Sequence, residues 1–242
     1  MRTLKPIALI AFIVLTAGGC TTTVRQHPAF AERRAKIVTV SVVPADVAFT
    51  RIVFKGDNQP LPEEAQRVRD RLPPLLVAEL QKRGFTVKDA HLDEAAFTEH
   101  ADLRFGLSQL QDAYKRCNGE MFRTPQMSKS KAEKFETSVG PDVTQLAENA
   151  DVDGLVFAKM NGFKKSGGGI ARDWAVALLA TAATLGTVVV TPAASSGATL
   201  QIALVDGTTG DVLWANTAGK AGDFEEKGLD GLVTQLFNGF PK

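Results

Sequence analysis

The chain has 242 residues, a formal net charge of +1 from 28 basic and 27 acidic residues, and 44% hydrophobic residues. This near-neutral charge gives no reason to expect nucleic-acid binding. The length allows one good-sized hydrophobic core, or two small ones.

A short apolar leader begins the chain. Arg2 and Lys5 are basic, residues 7–15 are apolar, and small residues at 16–19 precede Cys20. The pattern resembles the signal of bacterial envelope lipoproteins, which implies cleavage before Cys20 and acylation of Cys20. An ordinary secretory signal and an uncleaved anchor helix remain alternatives, although the apolar core is shorter than the roughly 20 residues of a bilayer span.

Thr21 follows the cysteine. In lipoproteins of this kind an aspartate at that position favours the inner membrane, so the resemblance implies anchoring in the outer membrane, facing the periplasm. Loss of Arg2 and Lys5 with the leader changes 28 basic residues to 26, against 27 acidic ones. Cys117 is then the remaining thiol, and it is either a partly buried small residue or bonded to a partner's cysteine.

The first elements predict a strand, a helix and a second strand. Residues 20–35 indicate a flexible tether, residues 36–43 a strand closed by Pro44, and residues 46–61 a loop. A helix begins at Pro62 and stops at Gly84, and Pro73 and Pro74 should kink it or split it. Residues 85–87 form the second strand, which implies a parallel pair with a crossover.

The next region is ambiguous. Residues 92–116 favour a helix by their leucine spacing, but the alternation at 103–107 leaves a strand open. Residues 123–136 indicate an exposed loop whose lysines Lys129, Lys131 and Lys134 are solvated or contact anionic headgroups. The remaining predicted elements are a helix at 141–150, strands at 154–160, 198–205 and 212–215, a hairpin turn at 206–211, and a helix at 229–237.

Together these elements predict an α/β fold with a single mixed sheet and flanking helices. The signal peptide covers residues 1–19, the lipidated cysteine and tether 20–35, and the periplasmic domain 36–242.

Few residues point to catalysis or to a cofactor. The chain has no Walker-type phosphate loop, nucleophile elbow or His-Glu-x-x-His motif, and residues 164–169 indicate a flexible joint. His27, His91 and His100 lack the spacing of zinc ligands. Neither a cofactor nor a metal is therefore expected, and the leading prediction is a protein that is not an enzyme. The alternative is a hydrolase that uses its carboxylates, and the candidates are Asp151, Asp153, Asp206 and Asp211.

An apolar insertion at 170–197 interrupts the predicted sheet. Its run 174–191 has no charge and consists largely of Ala, Leu, Thr and Val. It fits a buried helix, a membrane-contacting or oligomer-forming segment, or a transmembrane helix. The residues predicted to contact the membrane or a partner are Trp174, Leu178, Leu179 and Leu185.

Four stretches, at 36–43, 80–85, 150–156 and 204–214, resemble periplasmic lipoproteins of the curli-secretion (CsgG-like) and TolB N-terminal type. The resemblance implies a non-enzymatic protein that forms a ring or pore for export, or assists an envelope machine. A single insertion favours the accessory role. The predicted function is a lipid-anchored scaffold that binds other envelope proteins or itself; the alternatives are a subunit of a secretion pore and a module that binds an apolar ligand.

Overall fold

The computed structural model describes residues 22–53, 56–88, 108, 112–114, 116–117, 135–166, 195–222, 224 and 227–241. The predicted signal peptide, Cys20, the lysines of the predicted loop and residues 170–194 of the insertion lie outside these ranges. So do His91, His100 and most of the segment 92–116, whose described residues 108, 112–114 and 116 are helical.

The described chain forms an eight-stranded sheet and four named helices. The strands are β1 (Thr22–Gln26), β2 (Thr39–Val42), β3 (Asp46–Ile52), β4 (Gln59–Pro60), β5 (Thr86–Val87), β6 (Gly154–Lys165), β7 (Ser196–Asp206) and β8 (Val212–Ala221). The helices are α1 (Phe30–Arg34), α2 (Pro62–Gln81), α3 (Asp142–Asn149) and α4 (Lys227–Phe237).

The sheet is mixed, and its strand order is β1-β8-β7-β6-β2-β5. β6 pairs antiparallel with β7 and parallel with β2 at its start and with β3 further along. β2 and β5 are parallel, as the strand, helix and strand pattern predicts. The prediction of an α/β fold with one mixed sheet and flanking helices is confirmed.

Both faces of the sheet are covered. On one face α2 and α4 pack on buried strand residues such as Met160, Leu200 and Trp214. On the other face α3 and Tyr114 cover Leu155, Phe157 and their neighbours. Burial of one such large apolar side chain contributes about 1.5 to 3 kcal/mol, so the two layers stabilise the sheet from both sides.

Helix α2 runs unbroken through its two prolines. Pro62 occupies its first turn, followed by Glu63 and Glu64, as the sequence predicts. Pro73 and Pro74 remove two backbone donors, yet they do not divide the helix. Leu72 and Leu76 on either side of them are fully buried in the core, and this packing stabilises the helix on both sides of the prolines. The prolines therefore do not split the helix, and the kink that the sequence gives as the other outcome stays a prediction.

The region predicted as a loop at 46–61 contains two strands. β3 pairs with β6, and β4 pairs with β3. Val47 and Phe49 are buried while Asp46 and Ala48 are exposed, which is the alternation of a strand with one covered face. Of the loop signal at 56–60, residues 56–58 lie in the connection between β3 and β4, and Gln59–Pro60 form β4 itself.

The predicted loop at 123–136 ends in a buried residue. Phe135 packs in the second core with Val139 and Val143, so the exposed-loop prediction is wrong at this position. Cys117 is half-buried beside the same core, with its Sγ 3.0 Å from the carbonyl oxygen of Ser138. Half-burial agrees with its interpretation as a partly buried small residue.

Residues 22–34 belong to the folded domain, so the prediction of a flexible tether is wrong for them. β1 pairs antiparallel with β8, from Thr22 beside Ala218 to Gln26 beside Trp214. α1 follows, with Phe30 buried. Within the described residues the sheet therefore begins at Thr22 rather than near residue 36.

Arg33 ties α1 to the turn between β7 and β8. Its Nη2 lies 2.7 Å from Asp206 Oδ2, and its Nη1 lies 2.7 Å from Asp211 Oδ2. Burial alone would raise the pKa of Asp211, but hydrogen bonds from Arg33 and Thr209 outweigh it and lower that pKa. The two aspartates of the predicted hairpin turn thus hold the N-terminal segment in place.

We expect Arg33→Met to lower the free energy of unfolding by about 1 to 2 kcal/mol at pH 7, since hydrogen bonds to charged groups contribute about that much at partly exposed sites. Because folding lowers the pKa of Asp211, this stabilisation is present above the unfolded pKa of about 3.9 and is lost as the pH falls through the lower folded value. Urea unfolding at a series of pH values measures the difference.

The difference between wild type and Arg33→Met should therefore shrink below about pH 4. The control is Lys36→Met, because Lys36 is 73% exposed and only 3.6 Å from Glu32 in a surface pair. A difference that stays constant down to pH 2, or an equal loss in the control, would contradict the role of the ion pair.

Candidate functional site

Five strand ends meet at one end of the sheet, which we call the anchor-side end. It comprises the start of β1 at Thr22, the end of β8 at Ala221, the start of β7 at Ser196, the end of β6 at Lys165 and the end of β3 at Ile52. The register places them together: Lys164 is opposite Ser196, Gly197 is opposite Ala221, and Ile52 is beside Lys165.

The predicted lipidation site precedes this end of the sheet by two residues. Two peptide units separate Cys20 from Thr22, so their Cα atoms are no more than about 7.6 Å apart. Thr22 is level with Ala218, near the end of β8. An acyl group on Cys20 would therefore be attached next to the folded sheet rather than at the end of a stalk.

The insertion leaves and re-enters the sheet at the same end. The backbone N–H of Lys165 donates to the carbonyl oxygen of Ser195 at 2.8 Å, and that of Ser166 donates to Ile52 at 3.0 Å. Neighbouring strands lie about 4.8 Å apart, so β1 and β7 are separated by about 10 Å across β8. Strand pairing thus brings the start of β1, two residues after Cys20, and the strand ends that flank the insertion to one end of the sheet.

Close packing fixes the strands beneath the insertion. The ring of Phe49 on β3 lies over Gly162 on β6, where a Cβ atom would be 2.1 Å from Phe49 Cε1. The ring of Phe163 is similarly close to Gly197, where an added Cβ would be 3.0 Å from it. These glycines let aromatic rings cover β6 shortly before the chain enters the insertion and β7 shortly after it returns.

Basic side chains from three strands lie at the anchor-side end. They are Arg51 on β3, Lys164 and Lys165 on β6, and Lys220 on β8. Lys164 is 3.8 Å from Glu64 of α2, which also pairs with Arg67 at 3.9 Å. A basic residue close to an anionic membrane surface contributes about 1 kcal/mol of attraction, so these side chains suit a position at the headgroups.

The carboxylates considered for catalysis are bound to groups within the chain. Asp153 Oδ2 accepts hydrogen bonds from the backbone of Val38 and Thr39 at 3.0 and 2.8 Å. Burial alone would raise the pKa of Asp153, but the bonds from Thr39 and Val38 lower it. Asp151 is exposed and paired with Lys88. Each therefore binds a group of the chain itself, as Asp206 and Asp211 do.

Two kinds of feature are absent from the described ranges. Within them no helix has the length and apolar character needed to cross a membrane. No group of three or more His, Cys, Asp or Glu side chains in that part of the chain is arranged to hold a metal ion.

No family model and no curated protein matches the chain. Among solved structures, it is similar to the PelC dodecamer from Paraburkholderia phytofirmans, with 9% identity, a TM-score of 0.37, and coverage of 90% of this chain and 97% of that one. Lipoprotein GNA1162 from Neisseria meningitidis has 12% identity, a TM-score of 0.32, and coverage of 83% and 94%. The C-terminal domain of LpoB from Salmonella enterica has 11% identity, a TM-score of 0.27, and coverage of 81% and 96%.

These similarities are low. The likeness to curli-secretion and TolB-type proteins stays a prediction. At such identities and TM-scores no residue of this chain takes a role from its neighbours.

We expect Gly162→Ala to lower the free energy of unfolding by about 1 to 3 kcal/mol, because the added methyl group would force the buried Phe49 ring out of place. Chemical denaturation measures the change. Gly231→Ala is the control, since its Cβ would meet only Lys220 Nζ at 3.4 Å and alanine favours a helix. Equal stability of Gly162→Ala and wild type would show that β3 is not fixed on β6 by this contact.

Proposed function

We propose that the protein is a lipid-anchored scaffold or accessory factor that assists the assembly or export of a component of the bacterial envelope, without enzymatic activity of its own. One observation supports this proposal above the others. β1, which starts two residues after Cys20, and the strands that carry the insertion have their ends on the same side of the sheet.

In this proposal the acyl chains on Cys20 hold the anchor-side end against the outer membrane. β7 has 11 residues. At about 3.3 Å a residue, it carries the turn at 206–211 about 35 Å from that end, towards the periplasm. The insertion then lies at the level of the headgroups. Trp174, Leu178, Leu179 and Leu185 would contact the bilayer surface or a neighbouring envelope protein there.

The hydrolase alternative is less well supported. The carboxylates that it would use already accept hydrogen bonds or form ion pairs that stabilise the fold. Asp153 accepts a hydrogen bond from β2, and Asp211 forms an ion pair with Arg33 of α1. A general acid or base must instead reach a substrate proton. A structural role accounts for these four aspartates.

Native mass spectrometry of the mature protein, extracted from membranes in mild detergent, tests the proposal. We expect two or three acyl chains on Cys20, none in Cys20→Ser, and a monomer or small assembly that retains an envelope partner. Replacing Trp174, Leu178, Leu179 and Leu185 together by serine should preserve acylation and thermal stability but release that partner.

Three outcomes would contradict the proposal. An unacylated mature protein would remove the anchor. A ring of many subunits would favour the secretion pore instead. Loss of folding in the fourfold serine variant, measured as a lower Tm, would show that the insertion is part of the core.

A second experiment tests the orientation. In a Cys117→Ser background, fluorophores on Ser195→Cys and Thr208→Cys mark the two ends of β7, and both positions are exposed. In liposomes with a quencher at the headgroups, we expect the label at 195 to be quenched several-fold more than the label at 208, because about 35 Å separates them along β7.

A flexible linker supplies the matched control. About 12 Gly and Ser residues inserted between Thr21 and Thr22 would span about 20 Å and lift the anchor-side end from the bilayer. Quenching at 195 should then fall to the level seen at 208. Equal quenching of the two labels in the unmodified chain would contradict the proposed orientation.

A further inference from the structure

A cleft of about 720 Å³ lies away from the anchor-side end, between α1 and the C-terminal ends of α2 and α4. It is close to Gln26 and Trp214, at the opposite end of β1 from Cys20. Aromatic and basic side chains line it together: Phe30, Phe237, Phe240, Arg34, Lys82 and Arg83.

A cluster of rings makes the apolar part of the cleft rigid. Phe240 packs edge-on against Phe30 at 5.7 Å and against Trp214 at 4.8 Å between ring centroids. The indole N–H of Trp214 donates to the carbonyl oxygen of Gly239 at 3.3 Å, which fixes the chain next to Phe240. Phe240 is only half-buried, so part of this cluster faces the cleft.

The charges of the cleft are not balanced. Arg34 stacks on the ring of Phe85 at 3.6 Å and donates to the carbonyl oxygens of Ile37 and Arg83 at 2.7 and 3.0 Å. Within the described residues it has no carboxylate partner, and burial lowers its pKa. An uncompensated and partly buried guanidinium favours an anion beside it.

Lys82 and Arg83 share a single carboxylate. Glu79 lies 2.8 Å from Lys82 Nζ and 2.6 Å from Arg83 Nη1, and its side chain is only 9% exposed. The described lining of the cleft itself contains no acidic side chain. Arg34, Lys82 and Arg83 therefore present three positive charges against one negative charge that lies behind them.

The edge strand β1 leads into the cleft. The backbone N–H of His27 donates to Leu213 at 2.9 Å, and bonding residues alternate along an antiparallel strand. The backbone groups of Val24 and Gln26 therefore point away from β8. β1 is the last strand on this side of the described sheet, and Val24 is 41% exposed. An extended peptide could pair with β1 and reach the cleft beside Gln26.

We propose that this cleft binds an extended peptide segment of a partner protein in which acidic side chains lie next to an aromatic one. The carboxylates would meet Arg34 and Lys82, and the aromatic ring would pack on Phe240. The preference for a protein over a lipid rests on the proposed function, which places this end of the sheet away from the membrane. About six residues of β8, or roughly 20 Å, separate Trp214 from Lys220.

The test is fluorescence anisotropy with the mature full-length chain in a non-ionic detergent. The probe is a fluorescein-labelled peptide of alternating valine and threonine followed by two aspartates and a phenylalanine, and its matched control has asparagines instead. We expect the acidic peptide to bind about 10-fold more tightly, a difference of about 1.4 kcal/mol, and more weakly as salt rises.

Variants assign the binding to the cleft. Lys82→Gln should weaken the acidic peptide several-fold without harming the fold, because Lys82 is 68% exposed. Arg34→Gln should weaken it further, with the Tm measured alongside because Arg34 also stacks on Phe85. Lys36→Gln is the control, since Lys36 is 73% exposed on α1's C-terminal side and does not line the cleft.

Equal affinity for the two peptides, or no effect of Lys82→Gln, would overturn the assignment. Displacement of the peptide by phosphatidylglycerol micelles with the same variant dependence would also overturn it, in favour of a lipid headgroup. Peptide binding needs neither acylation nor a partner on the insertion. A negative result with acylated protein therefore counts against the cleft alone, whereas loss of acylation counts against the scaffold.

Discussion

The antiparallel register of β6 and β7 is the constraint on which the rest of the molecule depends. Eleven residue pairs, from Gly154 with Asp206 to Lys164 with Ser196, join the two strands. One end of this ladder fixes the turn whose aspartates hold Arg33, and the other fixes both ends of the insertion. β2 and β3 share the opposite edge of β6, so both covered faces are also built around it.

The N-terminal segment adds the edge strand beside β8. β1 covers the edge of β8, and Arg33 then crosses to the turn that leads into β8. The segment is thus held at two places on the same hairpin. For an anchored protein this means that the position of the lipid and the position of the sheet are linked directly.

The sequence predicts the elements whose signals are local. The proline and acidic start of α2, the apolar runs of β6 and β7, and the Gly-rich turn at 206–211 are read correctly because neighbouring residues determine them. β1 carries no comparable local signal, because Thr22–Gln26 has a single large apolar residue and its stability comes from pairing with β8. β3 is obscured because a strong loop signal follows it.

The candidate site cannot be predicted from local sequence patterns, because it depends on contacts between distant parts of the chain. The start of β1, two residues after Cys20, shares one end of the sheet with the strand ends that flank the insertion. This depends on pairing between residues about 190 positions apart, which no local pattern encodes. The same holds for the cleft. Phe30, Lys82 and Phe240 come from three distant stretches, and their convergence follows only from how α1, α2 and α4 pack.

The direction of β1 also determines how the protein would bear a mechanical load. Tension on an acylated Cys20 acts along the axis of β1, parallel to β8 and across the hydrogen bonds between them. Those bonds would then be stretched together, in shear, instead of opening one after another as in a strand pulled sideways from its end. An acyl group on Cys20 would therefore load β1 in the direction in which its pairing with β8 resists best.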